Sequence, residues 1–97
     1  MSGRRRYLIS YDIGDDRRRV RVHDACRQHG DRTQYSVFVA ELDDRELVRL
    51  RGELEKIVHR TEDQVLFADL GPVDQASGRI IASLGRPYYP PVRVFVV

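Results

Sequence analysis

The sequence predicts an α+β fold, an antiparallel sheet carrying two helices on one face, and three observations predict it. Runs of strand length, rich in β-branched and aromatic residues, occur at residues 6–11 (RYLISY), 34–42 (QYSVFVAEL) and 63–70 (DQVLFADL). Two segments between them place apolar residues at helical spacing, and each opens on aspartate. The chain has 97 residues, 41% of them apolar, which is the size and composition of one folded domain with a thin core.

The first strand, 6–11, is interrupted by Asp12-Ile13-Gly14-Asp15-Asp16, where Gly14 suits a turn and Asp15 or Asp16 suits a helix cap. The following helix is expected over 16–29, because Val22, Ala25, Cys26 and His29 recur at i, i+3, i+4 and i+7. Gly30 is expected to stop it. The strand at 34–42 has apolar groups on both faces, as an interior strand does. Asp43 and Glu46 have the spacing of a capping box, and Leu47, Leu50, Leu54 and Ile57 form the stripe of a second helix. Gly71-Pro72 is expected to end the strand at 63–70, with a short strand at 79–83, a proline-rich linker at 85–91 and a closing apolar strand at 93–97. That last strand is expected to pair with the sheet edge of a neighbouring subunit. Residues 1–97 thus read as a single domain, with a core of about residues 5–70 and an extension over about 71–97. The order βαβ–αββ is that of a ferredoxin-like, split-βαβ domain.

Charge and chemistry narrow the function. Net charge is only +2, yet residues 1–32 hold nine arginines against five acids, so basic character gathers near the N-terminus. Sixteen of the seventeen basic residues are arginine, whose planar fork grips phosphate in two places; genome composition or heat tolerance gives the same count. The single cysteine, Cys26, forms no internal disulfide and reads as a small buried hydrophobe. No early apolar run suggests a signal peptide and no segment is long enough to cross a membrane, so a cytoplasmic location is expected. His23, His29 and His59 lack metal-ligand spacing, no glycine-rich phosphate loop is present, and nothing local makes Cys26 or Ser36 a nucleophile.

Several short pieces carry a family likeness. They are Tyr11-Asp12-Ile13, Asp15-Asp16-Arg17-Arg18-Arg19, Gly30-Asp31-Arg32, Gln34-Tyr35-Ser36-Val37-Phe38, the leucine stripe of the second helix, and Asp63-Gln64-Val65. Together, in register over residues 7–70, they resemble the second of the two core CRISPR-associated adaptation proteins. Cys26 and His29 depart from the aliphatic and aromatic residues more usual there. The resemblance implies a ferredoxin-like homodimer in which the last strand of each chain extends the partner's sheet. It implies a divalent-metal site, for Mg²⁺ or a similar ion, at the dimer interface and endonuclease activity on single-stranded RNA or double-stranded DNA. It also implies a role in spacer acquisition, where this small subunit binds duplex DNA and bridges larger integrase subunits. An mRNA-cleaving toxin of a toxin–antitoxin pair, sharing the same fold, is the alternative.

Candidate site residues follow. Asp12 closes a strand at the sheet rim and reads either as a turn cap and arginine partner or as a ligand for a hard cation. The resemblance implies the second, a catalytic and metal-ligating Asp12. One carboxylate is a poor site alone, and a two-fold axis would bring a second copy of it opposite. Asp15 and Asp16 read as helix caps. Arg17, Arg18, Arg19, Arg21 and Arg32 are the candidate phosphate contacts, against the alternative of a solvated helix face or surface ion pairs. Tyr7, Tyr11 and Phe38 read as packing residues.

Overall fold

The computed structural model describes residues 3–34, 36–73 and 81–87. Its elements run β1 (Arg5–Asp12), α1 (Asp16–His29), β2 (Gly30–Gln34), β3 (Val37–Leu42), α2 (Asp44–Glu55) and β4 (Gln64–Pro72). The four strands form one sheet in the order β2-β3-β1-β4, with every neighbouring pair antiparallel. This is the ferredoxin-like arrangement expected from the sequence.

Alternation along the central strands decides the layers. Tyr7, Ile9 and Tyr11 of β1 and Phe38, Ala40 and Leu42 of β3 turn to one face, where Val22, Ala25 and Cys26 of α1 and Leu50 and Leu54 of α2 close over them as a single core. Phe38, Ile9 and Leu50 are fully buried there. Leu8, Ser10, Val37, Val39, Leu66 and Ala68 share the other face, since Leu8 stands opposite Val39 and Ala68 and Ser10 opposite Val37 and Leu66. Burial pushes the Cys26 thiol up to about 12, so it is an inert packing group.

Both helix starts are capped by aspartate. Asp15 accepts from the Arg18 backbone N–H at 3.0 Å. Asp43 accepts from the Glu46 N–H at 2.8 Å while Glu46 accepts from the Asp43 N–H at 3.1 Å, the reciprocal capping box that the spacing predicts. Glu46 also pairs with Arg4 at 2.5 Å.

Three expectations are corrected. The segment 34–42 is not one strand: Gln34 closes β2, which begins at Gly30, and Val37–Leu42 form β3, the second arm of the hairpin. The polar run Asp31-Arg32-Thr33 hid β2, because an edge strand needs little apolar content. Gly30 ends α1 in extended conformation, φ −158°, and its importance is proximity. A Cβ there would lie 2.7 Å from the Val39 carbonyl oxygen and 2.8 Å from the Ala40 Cβ. At the far edge, β4 continues through Gly71 and Pro72 rather than ending before them. Of the strand expected at 79–83, residues 81–83 are irregular and the rest lies outside the described residues. The strand expected at 93–97 also lies outside them. Among the described residues, no helix is long and apolar enough to cross a membrane.

Candidate functional site at the rim of the first strand

Four aspartates gather around the connection from β1 into α1, with Glu62 beside them on Arg18 at 3.4 Å, and the structure gives each aspartate a different task. Asp15 is the helix cap. Asp16 pairs with Arg19, Nη1 to Oδ1, at 2.6 Å, and Arg19 also donates to the Ile13 carbonyl at 3.3 Å. Asp63, at the approach to β4, is the knot of the region. Its side chain is fully enclosed and accepts from the Gly14 N–H at 2.9 Å, the His59 N–H at 2.7 Å, and Arg18 Nε at 2.7 Å. The Arg18 hydrogen bond, reinforced by the two backbone donors, holds the Asp63 carboxyl well below the usual carboxylate range. The guanidinium of Arg18 is correspondingly raised, chiefly by its hydrogen bond to Asp63.

Asp12 is the fourth aspartate, and it differs from the other three. It is the last residue of β1, opposite Gln64 of β4, and it is exposed. Its side chain makes no hydrogen bond or ion pair among the described residues, whereas buried Tyr11 and Ile13 on either side fix its backbone. The Tyr11 N–H donates to the Ser36 carbonyl at 3.1 Å, and Gly14 is tied to Asp63. An unengaged carboxylate is therefore held on a rim whose backbone is pinned from both sides.

The basic residues divide as well. Arg4, Arg5 and Arg6 are engaged with Glu46, Asp69 and Glu41, so much of the N-terminal positive charge is neutralised inside the fold. The Arg6–Glu41 pair is nearly buried, at 7% and 13% side-chain exposure and 2.9 Å. Arg18 and Arg19 hold Asp63 and Asp16, which makes them braces of the loop. Arg17 and Arg21 are exposed on α1 and make no ion pair among the described residues. Arg32 stands in β2 opposite Phe38, and its side chain lies outside what the structure describes. Asp63 was visible in the sequence only as part of a strand signature; a carboxylate 45 residues from its arginine leaves no local trace.

No group of three His, Cys, Asp or Glu side chains that would hold a metal occurs among the described residues. Asp12 alone offers one exposed carboxylate, an oxygen donor of the kind a hard divalent cation takes. Among the described residues of a single chain the donors for such an ion are incomplete.

Comparison with known proteins bears on this arrangement. Residues 5–76 match the family described as CRISPR associated protein Cas2. A Geobacter sulfurreducens protein named CRISPR-associated endoribonuclease Cas2 is 33% identical over 94% of this chain and 95% of its own length. A Thermus thermophilus protein of the same name is 43% identical over 74% of each. The crystal structure of Streptococcus pyogenes Cas2 superposes with a TM-score of 0.70 at 25% identity, covering 82% of this chain and 99% of that one. A match over most of the length, in sequence and in fold, shows that the chain belongs to the CRISPR-associated Cas2 family.

Proposed function

We propose that this chain is a metal-dependent endonuclease subunit of CRISPR spacer acquisition that binds nucleic acid as a homodimer. The carrying observation is Asp12: of four aspartates at the β1–α1 rim, three are engaged by caps or arginines and Asp12 is exposed without a partner among the described residues. A carboxylate left in that state on a braced backbone is suited to an external cation. Curated relatives that carry the name endoribonuclease support phosphodiester cleavage as the reaction.

In this reading Asp12 from each of two copies would hold Mg²⁺ or a similar ion. The ion, when bound, offsets charge on the phosphate and lowers the pKa of a bound water. The chain's own contribution is positional: Arg18 and Asp63 hold Gly14, Arg19 holds the Ile13 carbonyl, and Asp12 is presented between them. Arg17 and Arg21, exposed beside the rim, take backbone phosphates of RNA or duplex DNA. The helix-free sheet face, with Leu8, Val37, half-exposed Leu66 and Ala68, supports association of two copies. The larger integrase subunit is the further partner, with this protein organising the DNA between its copies in the cytoplasm.

The test is cleavage of labelled single-stranded RNA and linear duplex DNA, with Mg²⁺ and with chelator, for wild type and Asp12→Ala. Metal-dependent cutting lost in the variant supports the nuclease. Duplex binding by both proteins, with cutting by neither, leaves a DNA-organising scaffold in which Asp12 has no catalytic part.

A further inference from the structure

The outward face of α2 carries a feature that neither the rim nor the core uses. Arg45, Arg49, Gly52 and the cap residue Lys56 fall within an arc of about 60° at 3.6 residues per turn. That arc lies opposite buried Leu50 and Leu54. The three cations are exposed and make no hydrogen bond or ion pair among the described residues. The acids of α2 lie off this arc: Asp44 and Glu55 flank it on one side, Glu53 on the other toward His29, and Glu46 is turned to Arg4. The corresponding face of α1 differs, because Asp24 falls among Arg17, Val20 and Arg21.

Gly52 supplies an independent observation. A glycine in the interior of a helix weakens it, and a fold keeps one where another group approaches the backbone. Among the described residues nothing approaches: a Cβ at Gly52 would meet no atom within 4 Å. The space over Gly52 is open to a group from outside the described fold, at the centre of a basic stripe whose arc holds no acid. Val48, 71% exposed, borders the same opening.

We propose that this face of α2 is a second contact surface for the phosphate backbone of duplex DNA, separate from the β1–α1 rim. Arg45, Arg49 and Lys56 span about 16 Å along a rigid helix at 1.5 Å per residue, a straight cationic row suited to a stiff polyanion. Gly52 between them lets the sugar–phosphate chain lie against the helix backbone. The proposal rests on the reading of the chain as a nucleic-acid-binding protein.

The experiment is fluorescence anisotropy of a short labelled duplex across about 50 to 200 mM salt. It compares the full-length wild type, the triple variant Arg45→Ala/Arg49→Ala/Lys56→Ala, Gly52→Leu, and the rim variant Arg17→Ala/Arg21→Ala. The triple variant is expected to flatten the slope of log affinity against log salt by about 0.9 for each phosphate lost, up to about 2.7. Gly52→Leu, which keeps every cation and a good helix former, is expected to weaken binding several-fold. A slope unchanged in the triple variant but flattened in the rim variant overturns the α2 surface and leaves nucleic-acid binding standing. Affinity unchanged in Gly52→Leu overturns the close approach at that glycine. Wild type that binds no duplex overturns the DNA-binding function and this surface together. Flattening seen only with single-stranded RNA in place of the duplex overturns duplex DNA as the occupant.

Discussion

The two strand-to-helix connections of this fold solve one problem in two ways. β3 passes into α2 through Asp43 alone, and Asp43 and Glu46 satisfy each other's backbone N–H groups in a reciprocal capping box. β1 passes into α1 through residues 13–15, with Asp15 as cap, Asp16 tied to Arg19 and Asp63 reaching in from β4. At the first connection the cap is closed, and Asp44 stands exposed in the first turn, where its charge favours the helix start. The second leaves Asp12, the exposed last residue of β1, beside a loop that Asp63 ties down through the Gly14 N–H. A turn that satisfies itself contributes stability; a turn with an exposed charge on a braced backbone has chemistry to offer.

The largest expected effect breaks the comparison at its functional end. Asp12→Ala is expected to lower cleavage at least about 100-fold, the equivalent of a few kcal/mol of transition-state stabilisation, while Tm stays within a degree or two of wild type. A parallel fall in Tm would show that Asp12 belongs to the structure after all.

Asp63→Asn sharpens the contrast, since it weakens the brace and leaves Asp12 in place. Both cleavage and Tm are expected to fall, unlike Asp12→Ala, where only cleavage does. The pH dependence has a definite sign. Asp63 is held below its ordinary value of 3.8, so the folded state binds its proton less readily than the unfolded chain. Its stabilisation is fully present above that ordinary value and is lost as pH falls below it. The Tm gap between wild type and Asp63→Asn is therefore expected to be full at pH 7 and to shrink below about pH 4. A gap that widens on acidification contradicts the ion-pair account.

At the other connection, Asp43→Ala removes the cap of α2 and is expected to cost about 1 kcal/mol, or roughly 4–8 °C in Tm for a domain of this size. Cleavage is expected to remain near wild type. The smallest effect is a gain: Gly52→Ala restores a good helix former at a site with open space and is expected to add about 0.5–1 kcal/mol. Thermal denaturation reads both.

The local elements were legible in the sequence. Both aspartate caps, both helical stripes except Ile57, which lies in the turn beyond the end of α2 at Glu55, the core roles of Tyr7, Tyr11 and Phe38, and the strand carrying Asp12 follow from periodicity and capping chemistry that act over a few residues. What escaped was non-local or weakly patterned. β2 escaped because its edge position requires few apolar residues, and the proximity at Gly30 exists only once β3 lies beside it.

The arginines show the same boundary. Composition placed Arg17, Arg18, Arg19 and Arg21 together as one basic run, and periodicity put most of them off the core stripe. Folding separated them: Arg18 meets Asp63 and Arg19 meets Asp16, while Arg17 and Arg21 remain exposed. Local patterning decides which face of a helix a charge occupies, because backbone geometry repeats every few residues. Whether that charge is free or engaged depends on which distant acid the closed chain brings to it. No spacing along the sequence encodes that contact.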